Sequence, residues 1–232
     1  MKNLLEYIKE SLLDDFEDIS SAIDYRDEIL KFLDDTYTVG RMYTVDKIFK
    51  ISEKPNKKGF YEVDAPEGFW IDVKDDKKKS LEYITNGMFV FNKVGGFSCH
   101  HCPNLKSLEG APKETGYFAC CYCPNLKSLK GAPQRVNTFN CSGCDNLVNL
   151  KGAPRYIFKS FDCSECLNLT SLVGAPTEIW GNFYCFDNPK LKSLKGIPSK
   201  IHGNIECGGC GGDFNKSHVE NVCKVDGKII IE

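Results

Sequence analysis

No stretch of the 232-residue chain approaches the roughly eighteen consecutive apolar residues that a membrane-spanning helix needs, so no membrane partner is expected. Positive charge is not in excess either. The 30 Lys and Arg stand against 32 Asp and Glu, a formal charge of −2, which disfavours bulk binding of nucleic acid. No Gly-rich phosphate loop, H-E-x-x-H pair or nucleophile elbow occurs, so no catalytic residue is assigned and no cofactor is implied. The opening MKNLLEYIKESLLDDF lacks the uninterrupted apolar core of an export signal, and no Ser/Gly linker divides the chain. What the sequence does have is cysteine. Thirteen of them, with no export signal, point to a reducing cytosol.

Most of these cysteines belong to one unit, written five times and begun a sixth: FSCHHCPNLKSLEGAP from Phe97, FACCYCPNLKSLKGAP from Phe118, FNCSGCDNLVNLKGAP from Phe139, FDCSECLNLTSLVGAP from Phe161, FYCFDNPKLKSLKGIP from Phe183, then IECGGC from Ile205. The leading cysteines, at 99, 120, 141, 163, 185 and 207, are 21, 21, 22, 22 and 22 residues apart. A period of this size marks a solenoid, in which no unit buries its own apolar face and stability comes from stacking. Phe-x-Cys has the period-2 pattern of a strand with one buried face. Gly-Ala-Pro then ends each arc, because Pro fixes φ and Gly takes conformations that other residues resist.

Aligned as L-x-x-L-x-L-x-x-N/C-x-x-L, the unit resembles the leucine-rich repeat. Phe139 and Cys141 take the inward strand positions, Cys144 the Asn/Cys ladder position, and Leu147 and Leu150 the arc. In finer detail the phrases VGGFSC, CSxCxNLxSLxGAP and GNFYC resemble a compact repeat family of tailed-bacteriophage genomes. In that family a leader opens the array, here Ile71-Asp72-Val73 and Lys93-Val94-Gly95-Gly96-Phe97. The resemblance covers roughly residues 69–210; it implies the fold and no enzymatic activity.

Cys99-x-x-Cys102 and Cys120-x-x-Cys123, seventeen residues apart, also fit the spacing of a four-cysteine zinc site. Against zinc, the pairs continue through Cys141/Cys144 and Cys163/Cys166 at the repeat period, and in the fifth unit Asn188, a poor zinc ligand, replaces the second cysteine. Each pair also comes with two leucines, and free cysteine behaves as a small buried hydrophobe. No metal site is assigned.

The fold class expected is therefore an α+β repeat protein: a short leucine-rich-repeat solenoid with parallel strands on its concave face, a helical amino-terminal segment and β caps. Residues 1–40 read as an acidic helical segment. There 11 acidic residues face 4 basic ones, a net of −7 that leaves +5 for the rest. Leu4, Leu5, Ile8, Leu12, Leu13 and Phe16 give one helix; Ile23, Ile29, Leu30 and Leu33, after the capping signal Ser20-Ser21, give a second. The pair either covers the open end of the solenoid or serves as a docking element. Residues 41–94 read as a hairpin cap: strands on either side of SEKPNKKG, and a second hairpin about Asn86-Gly87. Residues 95–212 hold about six coils. Residues 213–232 form a second cap, with a helix begun by Ser217 and a hairpin about Asp226-Gly227.

Function is sought on what the repeats leave free. Residues flanking the inward Phe and Cys point to the concave surface, and strands about 4.8 Å apart set equivalent positions in rows. The candidate protein-binding residues are His100, His101, Tyr122, Asp162, Glu165, Tyr184, Phe186, Asp187 and Glu206: aromatic anchors in an acidic field, which suits a protein partner with a basic surface. Lys106, Lys127, Lys130, Lys151, Lys192 and Lys195 fall on the convex side, where lysine keeps a repetitive surface soluble. Cys121 beside His100 and His101 is the one arrangement resembling an activated nucleophile, without an orienting third group. The expectation is a non-enzymatic interaction protein in the bacterial cytoplasm, with a virion component docked through the acidic helices as the alternative. It is a monomer or an oligomer of unspecified order.

Overall fold

A strand with one buried face needs apolar residues two apart, and Phe-x-Cys supplies them in each copy. In the computed structural model, which describes residues 25–36, 49–65, 68–73, 81 and 89–231, these residues lie on parallel strands stacked into a β-solenoid of about seven turns. Four rungs are single strands: β4 (Phe89–Ser98), β5 (Glu114–Ala119), β6 (Arg135–Asn140) and β7 (Tyr156–Asp162). In the following rungs the strand is split, into β8 (Glu178–Ile179) and β9 (Asn182–Tyr184), then β10 (Lys200–Ile201) and β11 (Ile205–Glu206). Phe97, Phe118, Phe139, Phe161 and Phe183 pair in register, have no exposed surface, and set successive rings 5.4 to 5.6 Å apart.

The change of period has a location. Val136 pairs with Ile157, 21 residues on, whereas Thr138 pairs with Ser160, 22 on. The extra residue enters between those two points in β7, and from there the strand opens into two segments.

The second cysteine of each unit builds a ladder. The Sγ of Cys123, Cys144, Cys166 and Cys210 donates to the carbonyls of Cys99, Cys120, Cys141 and Cys185 one rung back, at 3.1, 3.1, 3.4 and 3.1 Å. Asn188 fills the same place without the sulfur. Its Nδ2 donates to the carbonyls of Cys163 (3.1 Å) and Cys185 (2.7 Å), and its Oδ1 accepts from the Cys166 amide (2.9 Å). Burial pushes the Cys99, Cys141 and Cys163 thiols up, as expected for thiols removed from water.

Stacking also explains the turn. Gly152 has φ +92°, and a Cβ there would lie 2.5 Å from the Lys130 nitrogen and 2.6 Å from the Leu129 carbonyl carbon. Only glycine lets one arc rest on the backbone of the arc before it.

The ends differ in part from the reading of the sequence. β1 (Lys50–Ile51) and β2 (Tyr61–Asp64) pair antiparallel across the SEKPNKKG loop, as expected. Beyond that pair the flank joins the solenoid: β2 and β3 (Trp70–Asp72) pair in parallel with the two halves of β4. Ile71 takes the place of the repeat phenylalanine, and the Val73 carbonyl accepts from Cys102 Sγ at 3.4 Å. Residues 82–88, including Asn86-Gly87, lie outside the described residues.

The carboxyl end is another rung rather than a hairpin. β12 (Lys224–Val225) pairs in parallel with β10, and β13 (Ile229–Ile230) with β11. Before them the helix Lys216–Glu220 is capped by Asn215, whose side chain accepts from the His218 amide, in place of the expected Ser217. In a separate unit spanning residues 1–45, the helix Arg26–Thr36 buries Ile29 and Leu33, one turn apart on one face. The first expected helix and Ser20-Ser21 lie outside the described residues.

Candidate functional site

The outward side of the sheet ends in a turn that the strand pattern did not foretell. After the leading cysteine the chain leaves the strand, and the second residue of each turn is left-handed: His101 (φ 52°), Tyr122 (φ 53°), Gly143 (φ 64°), Glu165 (φ 57°), Asp187 (φ 51°) and Gly209 (φ 63°). His101, Tyr122, Glu165 and Asp187 therefore project from a row of turns beside the strands, not from the strands themselves. The turn is what brings the ladder cysteine back beneath the strand end. A non-glycine residue pays roughly 1–2 kcal/mol for this conformation. The backbone offsets that cost, because the His101, Tyr122, Glu165 and Asp187 amides each donate to a carbonyl of the next rung at 2.8 to 3.0 Å.

Along this row side chains lie over one another. The His101 and Tyr122 rings stack with centroids 5.0 Å apart and 7° between planes. Tyr122 then covers Gly143, where a Cβ would sit 2.4 Å from the ring, and its hydroxyl donates to Glu165 Oε2 at 3.3 Å. Asp187 leans over Gly209 in the same way. Tyr122, Glu165 and Asp187 remain exposed.

The neighbouring row sits on the strand ends. Ser98 and Ala119 are buried; Asp162, Tyr184 and Glu206 are half-buried and in register. One oxygen of Asp162 serves the turn, accepting from the Ser164 amide at 3.0 Å and its hydroxyl at 2.6 Å. Tyr184 has its hydroxyl against Asn182 Nδ2 at 2.9 Å. Phe186, half-buried, occupies the turn after Tyr184 on the same rung. His100 places Nδ1 against the Ser98 hydroxyl and lies 3.8 Å from Asp72. The acids and the aromatics Tyr184 and Phe186 thus share the rungs from β7 to β11, while His100, His101 and Tyr122 gather at the other end.

Several exposed aromatics were not among the candidates. Trp70 is 57% exposed, lies over Gly96 and packs against Tyr117 with centroids 5.3 Å apart. Trp180, also 57% exposed, stacks on His202 at 4.5 Å, and His202 sets its two ring nitrogens against Glu178 (2.6 Å) and Asp226 (3.0 Å). Arg135 lies over the Tyr156 ring. Lys93, Glu114, Arg135, Asn137 and Phe158 line a groove of about 400 Å³ together with Gly95 and Gly116. For Trp70 the available signal was Gly96, just before the first repeat phenylalanine, since a missing side chain there leaves room for a ring from the preceding rung.

Burial pushes the half-buried Cys121 thiol up to about 11. That is the opposite of the lowered value an activated nucleophile requires. The ladder sulfurs point at backbone carbonyls, and among the described residues no three His, Cys, Asp or Glu side chains converge as a metal set. Protein purified from a reducing cytosol should therefore carry less than about a tenth of an equivalent of zinc and melt unchanged in chelator, because a structural zinc contributes directly to folding. Stoichiometric zinc with chelator-induced unfolding would refute the ladder. Among the described residues no helix is long and apolar enough to cross a membrane.

No family model, curated protein or solved structure matches the chain.

Proposed function

We propose that the chain is a non-enzymatic protein-binding module of leucine-rich-repeat type, related to the compact repeats of tailed bacteriophages and acting in the bacterial cytoplasm as an inhibitor or adaptor. The observation that carries this reading is a contrast within each repeat. Phe, Cys and Leu recur at the buried positions, while the positions one, three and four residues after each repeat phenylalanine or Ile205 change from rung to rung, ending in Asp162, Glu165, Tyr184, Phe186, Asp187 and Glu206. A fixed scaffold beneath a varied face is what recognition of a particular surface requires. Aromatic rings supply affinity through burial, and carboxylates steer a basic partner and make its association salt-dependent.

The partner is a protein with a basic surface. Tyr184→Ala with Phe186→Ala should remove at least about 2 kcal/mol of binding, the loss expected for hot-spot aromatics. Glu165→Lys with Asp187→Lys should slow association most at low salt, where the Debye length is longest. Calorimetry and stopped-flow kinetics on the captured partner read these two effects. Unchanged affinity in both double variants, with binding abolished by deletion of residues 1–35, would instead favour a virion-associated protein docked through its acidic segment.

A further inference from the structure

Among the described residues nothing covers one side of the last rung. Val225 and Ile229 stand where Ile201 and Ile205 stand one rung earlier, both with 0% exposure, yet Val225 and Ile229 are half exposed and Ile230 is 36% exposed. A cleft of about 390 Å³ opens there between β13 and the helix residues Lys216 and Glu220.

The hydrogen bonds show which backbone groups face outward. The amides of Lys224 and Asp226 donate to the Ser199 and Ile201 carbonyls, and the carbonyls of Lys228 and Ile230 accept from the Ile205 and Cys207 amides. These groups face the preceding rung, and so does the Gly227 amide, which donates to the Gly203 carbonyl at 3.1 Å, so the chain bends between β12 and β13 and the alternation holds within each of them. Backbone groups alternate in direction along a strand, so the amide and carbonyl of Val225 and of Ile229 face the open edge.

We propose that this edge seats a second copy of the chain, paired antiparallel about a two-fold axis through Gly227. Residues 225–229, Val-Asp-Gly-Lys-Ile, are self-complementary about that centre. Val225 faces Ile229 of the second copy, and the two exchange both backbone hydrogen bonds, the arrangement an antiparallel pair requires of residues whose groups point across the seam. Asp226 faces Lys228 of the second copy, twice by symmetry. Val225 and Ile229 also point inward, so the apolar core continues across the seam. This is an isologous contact, in which one patch serves both subunits.

Lysine on a sheet edge ordinarily blocks pairing. Here the two-fold supplies Lys228 with a carboxylate, and Lys228 makes no ion pair among the described residues. Asp226 is held in place by His202 at 3.0 Å and Lys200 at 3.6 Å. The inference does not depend on what the outward face binds.

Sedimentation of the full chain over a concentration series tests it. The wild type should associate reversibly to a dimer at high micromolar concentration. Lys228→Asp sets Asp against Asp twice and should weaken association about tenfold or more, as like charges do across a seam; Lys228 is exposed, so the fold is kept. Asp226→Lys should be equally impaired, and an equimolar mixture of the two variants should recover the dimer, because each seam then pairs Asp with Lys. A wild type that stays monomeric into the millimolar range overturns the proposal. So does a Lys228→Asp variant that associates like the wild type.

Discussion

Leu147→Ala should lower the free energy of unfolding by about 2–5 kcal/mol, while Lys127→Ala should change it by no more than about 0.5 kcal/mol. Leu147 has no exposed surface and sits in the middle of the array, with Leu126 and Leu169 in the same place one rung to either side. Its amide donates to the Cys144 carbonyl at 3.0 Å, so the backbone is tied to the ladder and cannot close over the lost side chain. A cavity at the centre of a stack weakens two interfaces, because each repeat is held by its neighbours. Lys127, one residue after Leu126, is exposed on the arc. Denaturant titrations of the two variants under one buffer read the contrast. Equal effects would mean that the register of the arc is wrong.

Asn188→Ala should be at least as damaging, at about 3 kcal/mol or more. It leaves the Cys166 amide and the Cys163 carbonyl without their bonds and takes one of two donors from the Cys185 carbonyl, which keeps Cys210 Sγ, and each buried polar group left unsatisfied costs roughly 1–3 kcal/mol. Asn188→Cys should cost only about 1 kcal/mol. A thiol there can remake the bond to the Cys163 carbonyl, the bond Cys123, Cys144, Cys166 and Cys210 make in their own rungs. If Asn188→Cys unfolds the protein as readily as Asn188→Ala, the interchange of thiol and amide along the ladder fails.

The buried half of the repeat was legible because its residues obey side-chain direction alone. Phe-x-Cys alternates with the strand, and the two leucines fall where the arc turns inward. The outward half was less legible. Nothing in His101, Tyr122, Glu165 or Asp187 announces a left-handed residue, since the conformation is imposed by the ladder bonds on either side of the turn. Asp226-Gly227 misled for a related reason. Its glycine is required by stacking, with a Cβ falling 2.5 Å from the Gly203 carbonyl oxygen, and its aspartate is engaged by His202 and Lys200. A local turn signal gave way to parallel pairing with the rung before. Trp70 and Trp180 escaped notice because they lie outside the Phe-x-Cys frame, although each occupies a row of its own on the outward face.

Capture from a bacterial lysate with four baits side by side tests the claim of a binding face most directly: the wild type, the Tyr184→Ala and Phe186→Ala double variant, a Lys127→Ala and Lys192→Ala double variant of the arc, and the chain without residues 1–35. A protein with a basic surface should be retained by the wild type, the arc variant and the truncated chain, and lost from the Tyr184/Phe186 variant. Retention by the Tyr184/Phe186 variant together with loss on truncation would contradict the account and leave the solenoid as a spacer.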